Sequence, residues 1–293
     1  KIMASLDDLR KRIVSVKSTQ KITKAMKMVA AAKLRKAQES AERGRPYSEK
    51  MQNIILNLTE SISDPLNAPK LLVGTGKEQT HLCVIMTSDR GLCGGFNTNI
   101  CRLAKNYFLK VLKEEKTLKI ITIGSKGHDQ LKREYGKHIV QKLSFKDKKK
   151  ISFNEADDVG KIIIDLFDKN EFDKCVLFFN NFKNVMTQIP QAQQIIPAEK
   201  KENSEKNDEV FYEFEPDEDE ILEDLLPKNI STQVFKAFLE NSASEQGSRM
   251  TAMDSATRNA GDLVKSLTIV YNRSRQAAIT KELIEIISGA ESL

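Results

Sequence analysis

Apolar residues near the N-terminus repeat with the period of an α-helix. The first four are separated by steps of three and four: Leu6, Leu9, Ile13 and Val16. Strict heptads would continue to Thr23. The next apolar residues are instead Ile22, Met26, Val29 and Ala30. The pattern predicts one long helix whose apolar stripe slips by one residue after Val16, with a boundary or kink at Gly44 and Pro46.

The C-terminal part carries a longer repeat. Its apolar and small residues again alternate in steps of three and four: Met253, Ala256, Ala260, Leu263, Leu267, Val270, Ser274 and Ala277, with Ile284 and Ile287 continuing the pattern. This spacing is typical of the a and d positions of a coiled coil. Two such helices at opposite ends of one chain are expected to pack on each other in antiparallel orientation.

The middle of the chain changes period. Short β-branched or apolar runs at 81–86, 118–123, 138–143 and 174–179 predict strands. Helical patterns at 97–113, 126–135 and 155–168 lie between them. The alternation predicts a small central α/β domain of Rossmann-like type.

The predicted organisation is therefore α+β overall. Residues 1–60 form an N-terminal helix, 78–196 the α/β domain, 197–227 an acidic loop and short helix, and 228–293 a C-terminal helix that pairs with 1–60. The polar stretch 200–208 is expected to be a loop or insertion. Residues 217–226 are expected to form a short acidic helix that leads to Pro227.

Charge is distributed unevenly over the 293 residues, although the net charge is only +6. Residues 1–45 hold 13 basic and 4 acidic residues, and residues 199–226 hold 13 acidic and 3 basic ones. Each of these two oppositely charged segments is a candidate partner surface. No apolar run approaches the roughly 18 residues that span a bilayer. The four cysteines and three histidines lack zinc-site spacing, so we expect reduced thiols and no metal or other cofactor.

Three glycine-containing turns invite a phosphate-binding hypothesis. Residues 74–77 (GTGK) lack the spacing of a P-loop. Residues 88–97 and 124–127 lie between a strand and a helix, but lack the dinucleotide fingerprint. Cys93 has no recognisable base for nucleophilic chemistry. We expect structural turns and no nucleotide site.

The basic N-terminal helix could bind nucleic acid through counterion release. Its lysines and arginines lie all around the helix, however, and no aromatic residue is interleaved with them before Tyr47. A solvated helix surface or an acidic protein partner is favoured over nucleic acid.

Three separated motifs resemble the gamma subunit of rotary F-type ATP synthases, in the same order along the chain. The first is residues 18–35 (STQKITKAMKMVAAAKLR), followed by RPY at 45–47. The second is residues 87–97 (TSDRGLCGGFN). The third comprises ASEQ at 243–246, RMTAM at 249–253, YN at 271–272 and RQAAITKEL at 275–283. The resemblance is nearly full-length, and much of 102–230 matches only in pattern.

The resemblance implies a non-catalytic central rotor shaft, present in one copy per complex. Its implied partners are three alpha and three beta subunits, the epsilon subunit and the membrane c ring, with no nucleic acid and no direct nucleotide binding. Rotation of the c ring would drive the beta subunits through their binding states. The implied location is peripheral, on the cytoplasmic face of a bacterial inner membrane or, alternatively, the matrix face of a mitochondrial one.

The resemblance also implies contact residues. The beta-subunit contacts would be Arg275, Gln276, Thr280, Met26, Lys24 and Lys27, and the c-ring foot would include Phe214 and Glu215. Residues 284–293 would form a tip in an apolar bearing. Two alternatives stay open: a nucleotide-using enzyme with helical arms, and a coiled-coil scaffold or nucleic-acid tether.

Overall fold

The computed structural model describes residues 5–61, 69–148, 151–198 and 218–291. The chain divides into two compact units. The helix-pair unit comprises Lys1–Ala31 and Arg249–Leu293, and the sheet unit comprises Ala32–Ser248. The two longest helices, α1 (Leu6–Ser61) and α6 (Glu218–Glu291), contribute to both units. The domain boundaries proposed from the sequence stay a prediction.

In the helix-pair unit, α1 keeps a strict heptad seam. The seam, meaning the row of positions that face α6, consists of Leu6, Leu9, Ile13, Val16, Gln20, Thr23, Lys27 and Ala30, all buried or half-buried. Met26, next to the seam, is half-buried as well. The predicted slip after Val16 is wrong, since Ile22 is 57% exposed and Val29 is 56% exposed. The heptad continues because polar side chains occupy three consecutive seam positions.

Helix α6 also follows a heptad, but not the predicted one throughout. Its seam consists of Met253, Thr257, Ala260, Val264, Leu267, Tyr271, Ser274 and Ala278. Four positions match the prediction, while Leu263 and Val270 lie outside the seam, 45% and 46% exposed. The predicted continuation to Ile284 and Ile287 is also wrong, because both side chains are exposed. Where two apolar residues are adjacent, as at Leu263 and Val264, either one fits the heptad spacing. The sequence of one helix does not show which of the two faces the partner helix.

The sheet unit contains five strands in the order β3-β2-β1-β4-β5. They span Thr80–Met86 (β1), Thr117–Ile123 (β2), Ile139–Leu143 (β3), Lys174–Phe182 (β4) and Gln188–Ile196 (β5). The first four are parallel, as the sequence predicts, and β5 runs antiparallel to β4. β5 was missed because Pro190 and four glutamines hide its pattern, and an edge position tolerates such a proline.

Helices cover both faces of the sheet. They are α2 (Lys70–Val73), α3 (Phe96–Lys113), α4 (Ser125–Tyr135) and α5 (Phe153–Asp168). One face, with Leu82 and Val84, packs against α5 and the Ile230 to Phe238 part of α6. The other face, with Cys83 and Ile85, packs against α3 and α4. Alternate residues of the buried β1 thus serve both cores.

Both long helices continue through a proline. Pro46 lies inside α1, and Pro227 lies inside α6. Of the two alternatives at Gly44 and Pro46, a helix boundary is therefore wrong, and the separate short helix predicted at 217–226 is, from 218 on, part of α6. A proline inside a helix costs about 3 kcal/mol or more. In α6, the buried Leu222 and Leu226 on one side of Pro227 and Ile230 on the other offset that cost.

Polar side chains of α6 bind the last residues of β4. These residues lie beyond Phe178, the last residue of β4 that pairs with β1. Glu240, buried, accepts hydrogen bonds from the backbone N–H of Phe182 at 3.0 Å and from the Arg45 guanidinium of α1 at 2.8 Å. The Ser244 hydroxyl donates to the carbonyl oxygen of Asn180 at 2.9 Å. These side chains bind backbone groups of β4 residues that pair with β5 but lie beyond the pairing with β1, so the groups do not stay without partners.

Replacing Arg45 with leucine is expected to lower the free energy of unfolding by about 1–3 kcal/mol, because the Glu240 carboxylate loses its cation but keeps its burial. Urea unfolding of the full chain measures this loss. The double variant Arg45→Leu, Glu240→Gln should recover part of it. Lys228→Leu, which breaks an exposed ion pair with Asp224, is the control, and a loss no larger than its own would contradict the prediction.

The imidazole of His81 in β1 is buried near the Tyr107 hydroxyl and two lysines. Its Nδ1 lies 2.9 Å from the Tyr107 hydroxyl, and its Nε2 is buried with no hydrogen-bond partner in the part of the chain that the structure describes. Burial, together with Lys116 and Lys174, lowers the pKa of His81. The folded chain therefore binds this proton less readily than the unfolded chain does.

Stability should consequently fall as the pH drops below 6.5, the ordinary pKa of histidine, because the unfolded state then takes up more protons. Urea unfolding at pH 7.5, 6.5 and 5.5 measures the slope. The variant His81→Gln should show a smaller loss over this interval. Equal slopes for both proteins would show that His81 does not cause the acid sensitivity.

Candidate partner-binding surface

The end of α6 extends beyond the start of α1. Gln20 faces Gly261, and Thr23 faces Thr257, so paired residue numbers sum to about 280. The same register places Leu6, the first residue of α1, beside Ser274. All residues from 281 to 290 are exposed. The last turns of α6 therefore present their whole circumference as a single helix within the described chain.

Three of the predicted beta-subunit contacts lie where this single-helix segment begins. Arg275, Gln276 and Thr280 are all exposed. The Thr280 hydroxyl donates to the Gln276 carbonyl oxygen at 2.9 Å, within the same helix. Gln276 and Thr280 are one turn apart and so share a face. The structure thus brings these residues together, while their role stays a prediction.

The predicted contacts on α1 are arranged differently. Lys24 is exposed, and Met26 is half-buried. Lys27 turns toward α6, where its Nζ lies 2.5 Å from Asp254 Oδ1. Asp254 also pairs with Arg258 at 3.0 Å. The hydrogen bond from Lys27 lowers the pKa of Asp254. Lys27 is therefore engaged in the helix pair, which the sequence alone did not reveal.

A different surface escaped the sequence prediction. Ile22 and Val29 on α1, and Leu263 and Val270 on α6, were assigned to the seam but are exposed. Each pair is spaced by one heptad, so it forms an apolar strip on its helix. Leu283, Ile284, Ile286 and Ile287 are also exposed at the end of α6, where the resemblance implies the tip at 284–293. Such exposed apolar strips mark contact surfaces in soluble proteins.

The turns suspected of binding phosphate are occupied by the chain's own carboxylates. Asp89 accepts hydrogen bonds at 2.9 Å from the backbone N–H and the hydroxyl of Ser125, at the start of α4. The Ser144 hydroxyl donates to the same oxygen at 2.8 Å. Burial alone would raise the pKa of Asp89, but these hydrogen bonds lower it. An anion site at this helix N-terminus is already filled.

The turn at 74–77 has a similar arrangement. Asp173 accepts from the Thr75 hydroxyl at 2.6 Å and from the backbone N–H groups of Gln79 and Thr80 at 3.0 and 2.9 Å. In the remaining turn, Cys93 is buried, and its Sγ lies 3.3 Å from the Asn97 amide nitrogen. These contacts are typical of structural turns.

The remaining expectations concern residues outside the described ranges, metal binding and membrane-spanning helices. Phe214, Glu215 and the 200–208 stretch lie outside the described residues. Within the described ranges, no three His, Cys, Asp or Glu side chains are grouped so that they could hold a metal ion. No described helix has an apolar stretch long enough to cross a membrane.

Comparison with known proteins places this geometry in a family. The sequence profile described as ATP synthase matches residues 5–293. The chain is 72% identical to the ATP synthase gamma chain of Pelagibacter ubique (strain HTCC1062) over 291 residues, covering 99% of this chain and 100% of the relative. It is 55% identical to that of Rhizobium etli (strain CIAT 652) over 294 residues, with the same coverage.

Solved structures of ATP synthases contain chains with a similar fold. A chain from the central stalk and c ring of the Tetrahymena thermophila mitochondrial ATP synthase is 26% identical, with a TM-score of 0.60, covering 80% of this chain and 99% of that one. A chain in the OSCP, F1 and c-ring structure of Euglena gracilis mitochondrial ATP synthase shares the fold at 20% identity, with a TM-score of 0.69, covering 98% and 94%. The chain therefore belongs to the ATP synthase gamma-chain family.

Proposed function

We propose that this chain is the central rotor shaft of a proton-translocating ATP synthase. One copy would stand within a ring of three alpha and three beta subunits and turn with the membrane c ring. The observation that carries the proposal is the exposed single-helix end of α6, which presents the 275–283 motif beyond the start of α1. The full-length identity to ATP synthase gamma chains supports it.

The shaft would couple sites through unequal contacts. The helix pair presents exposed basic residues on α1, such as Arg10, Lys17 and Lys24, and an apolar strip at Leu263 and Val270 on α6. Three identical subunits around such a pair would each meet a different surface. A ligand shifts a conformational equilibrium only by its differential affinity for the states, and an asymmetric shaft supplies that difference.

The chain itself would make and break no bond. The amide groups that a phosphate would need at 74–80 and at the start of α4 already bind Asp173 and Asp89. A nucleotide would have to displace a carboxylate from each. This arrangement disfavours the alternative of a nucleotide-using enzyme.

The other partners and the location follow from the same proposal. The sheet unit would carry the epsilon subunit, and Phe214 and Glu215 would belong to the foot on the c ring. The protein would lie peripherally on the cytoplasmic face of a bacterial inner membrane, an assignment supported by bacterial relatives at 72% and 55% identity. The alternative location is the matrix face of a mitochondrial inner membrane.

Arg275 and Gln276 would hydrogen-bond one beta subunit, with Thr280 one turn further along and Met26, Lys24 and Lys27 contributing from α1. The double variant Arg275→Ala, Gln276→Ala should therefore reduce the ATP turnover that the chain sustains in an alpha–beta assembly by about tenfold, the effect expected for losing hydrogen bonds to a charged group. Steady-state turnover with and without the chain measures this effect.

The matched control is Lys265→Ala, Ser266→Ala, which removes one charged and one polar exposed side chain from the same helix. It should leave turnover within about twofold of the unmodified chain, because Lys265 forms only an exposed ion pair, with Asp262, and such pairs contribute little. Equal loss in both double variants would contradict the contact assignment.

Two outcomes would favour the other candidate functions. ATP hydrolysis by the chain alone would indicate an active site and an enzyme. Failure to bind the assembly, together with salt-sensitive binding to nucleic acid, would favour a scaffold or tether. The antiparallel seam already satisfied within one chain argues against self-association through it.

A further inference from the structure

Helix α6 occupies a position in the sheet unit where many α/β folds bind a small ligand. In doubly wound sheets, ligands lie beyond the carboxyl ends of the strands, at the point where the strand order reverses. Here β1 lies between β2 and β4. The helices that follow β1 and β3 pack on opposite faces of the sheet. The reversal point is therefore between the ends of β1 and β4.

Side chains of α6 bind the backbone at both of these strand ends. The Ser248 hydroxyl donates to the carbonyl oxygen of Cys93, in the turn that follows β1, at 2.7 Å. At the end of β4, the Asn241 side-chain oxygen accepts from the backbone N–H of Asn180 at 3.2 Å. The Ser244 hydroxyl donates to the carbonyl oxygen of Asn180 at 2.9 Å. The three α6 residues are one turn apart and share a face, which thus joins the two strand ends.

These bonds continue the hydrogen-bond ladder of β4 past the end of β1. β4 pairs with β1 only as far as Phe178. Asn180 then binds α6 through both its N–H and its carbonyl oxygen. Phe182, two residues further along, donates its N–H to Glu240, and its carbonyl oxygen accepts from Arg45 at 3.4 Å. Alternate residues of a strand direct their backbone groups to the same side, so these side chains take the place of a neighbouring strand.

The attachment of α6 over these turns is polar. The apolar residues that α6 contributes to the core of this face end at Phe238. From 240 to 248, the buried residues are all polar or small: Glu240, Asn241, Ala243, Ser244 and Gly247. A Cβ added to Gly247 would lie 3.2 Å from the Phe182 ring, so the helix and the strand end are in close contact. Hydrogen bonds to the backbone therefore position this segment more than apolar side chains do.

We infer that Asn241, Ser244 and Ser248 are positioning residues which, together with Glu240, hold α6 to the sheet as one cooperative unit, the strand-end lock. Backbone groups are fixed points, so sliding or turning α6 by one residue would leave several of them without partners at once. Apolar contacts tolerate such shifts better because they have no direction. The whole lock lies in the sheet unit, whose last residue is Ser248.

The consequence for coupling rests on the proposed function, whereas the lock itself does not. A rotor that is driven at one end and loaded at the other must pass torque along its length. Helix α6 continues without a break from the strand-end lock to the 275–283 motif. The lock is then a point at which torque passes between the sheet unit and α6.

Hydrogen exchange in the full chain tests whether the lock opens as one unit. The lock variant Ser244→Ala, Ser248→Val removes two hydroxyls, whereas the Phe182 N–H donates to Glu240. If the bonds open together, the exchange rate of the Phe182 N–H should rise about tenfold although its own partner is unchanged. The N–H of Ile121, in the buried part of β2, is the reference for opening of the whole sheet.

The matched control is Thr232→Val, Ser248→Thr. The buried Thr232 hydroxyl donates within α6, to the Lys228 carbonyl oxygen at 2.7 Å. Threonine at 248 keeps the hydroxyl that valine, of equal size, removes. Exchange at Phe182 should stay within about twofold of the unmodified chain. A rise in the lock variant no larger than that of Ile121, or no larger than that of the control, would overturn the inference.

A bead on the sheet unit tests the transfer of torque. The bead would be attached through Lys137→Cys, at an exposed position, to a chain held in an alpha–beta assembly. In the lock variant, the variance of the bead angle during a pause should rise about twofold, because the connection is less stiff. ATP turnover should stay within about twofold, because residues 275–283 are unchanged. The control should change neither quantity.

The two measurements separate this inference from the proposed function. Raised exchange with a broader bead angle supports both. Raised exchange in a chain that never rotates in the assembly supports the lock and contradicts the rotor proposal. Unchanged exchange in a chain that does rotate overturns the lock alone. Raised exchange with an unchanged bead angle contradicts the transfer of torque through the lock.

Discussion

The helix-pair unit depends on one constraint, which is that two helices from opposite ends of the chain must share a single seam. A heptad seam holds only while both helices present matching side chains at every layer. Here the match is made by apolar residues such as Leu9, Ile13 and Leu267, and by polar pairs in between. The seam therefore determines which residues are exposed. The apolar strips and the end of α6 are surfaces because the seam excludes them.

In the sheet unit, buried polar side chains attach the long helices to strand β4. Strand β4 extends past its pairing with β1, so its last backbone groups need other partners. Glu240 and Ser244 of α6 supply them, and Arg45 of α1 balances the Glu240 charge. Within this unit both long helices are tied to the strand by specific bonds as well as by apolar packing. Such an attachment resists sliding more than apolar contact alone, because each displacement would leave a buried group unpaired.

In the proposed function, the chain serves a catalytic assembly without supplying chemistry of its own. The suspected anion sites are filled internally by Asp89 and Asp173. The long helices present basic and apolar surfaces that differ around the pair. In this account the chain acts through the shape and charge it presents, and the chemistry belongs to its partners.

Much of this could be predicted from the sequence, because strong local patterns determined it. Three of the four parallel strands, β1, β2 and β4, are apolar runs that are largely buried, and the long helices have a clear helical period. The fifth strand was missed because its glutamines and Pro190 carry no such pattern. Neither Pro46 nor Pro227 ends a helix, because tertiary packing overrides the helix-breaking effect of proline.

The seam shows a sharper limit of sequence reasoning. Leu263 and Val264, like Ile22 and Thr23, are neighbours that fit the same period, and hydrophobicity favours the wrong member of the second pair. In the structure, Thr23 contacts Thr257 and the neighbouring Lys27 pairs with Asp254, partners more than 200 residues away that no local pattern reveals. The contact residues Arg275 and Gln276 came from family motifs, since an exposed polar pair carries no signal of its own.

The most direct test of the central claim is to observe rotation. An alpha–beta assembly would be fixed to a surface, with a bead attached to this chain through Lys137→Cys at an exposed position of the sheet unit. The account predicts that ATP drives the bead in one direction, with pauses a third of a turn apart, since three beta subunits would act in succession. A chain that binds the assembly while the bead only fluctuates about a fixed angle would contradict it.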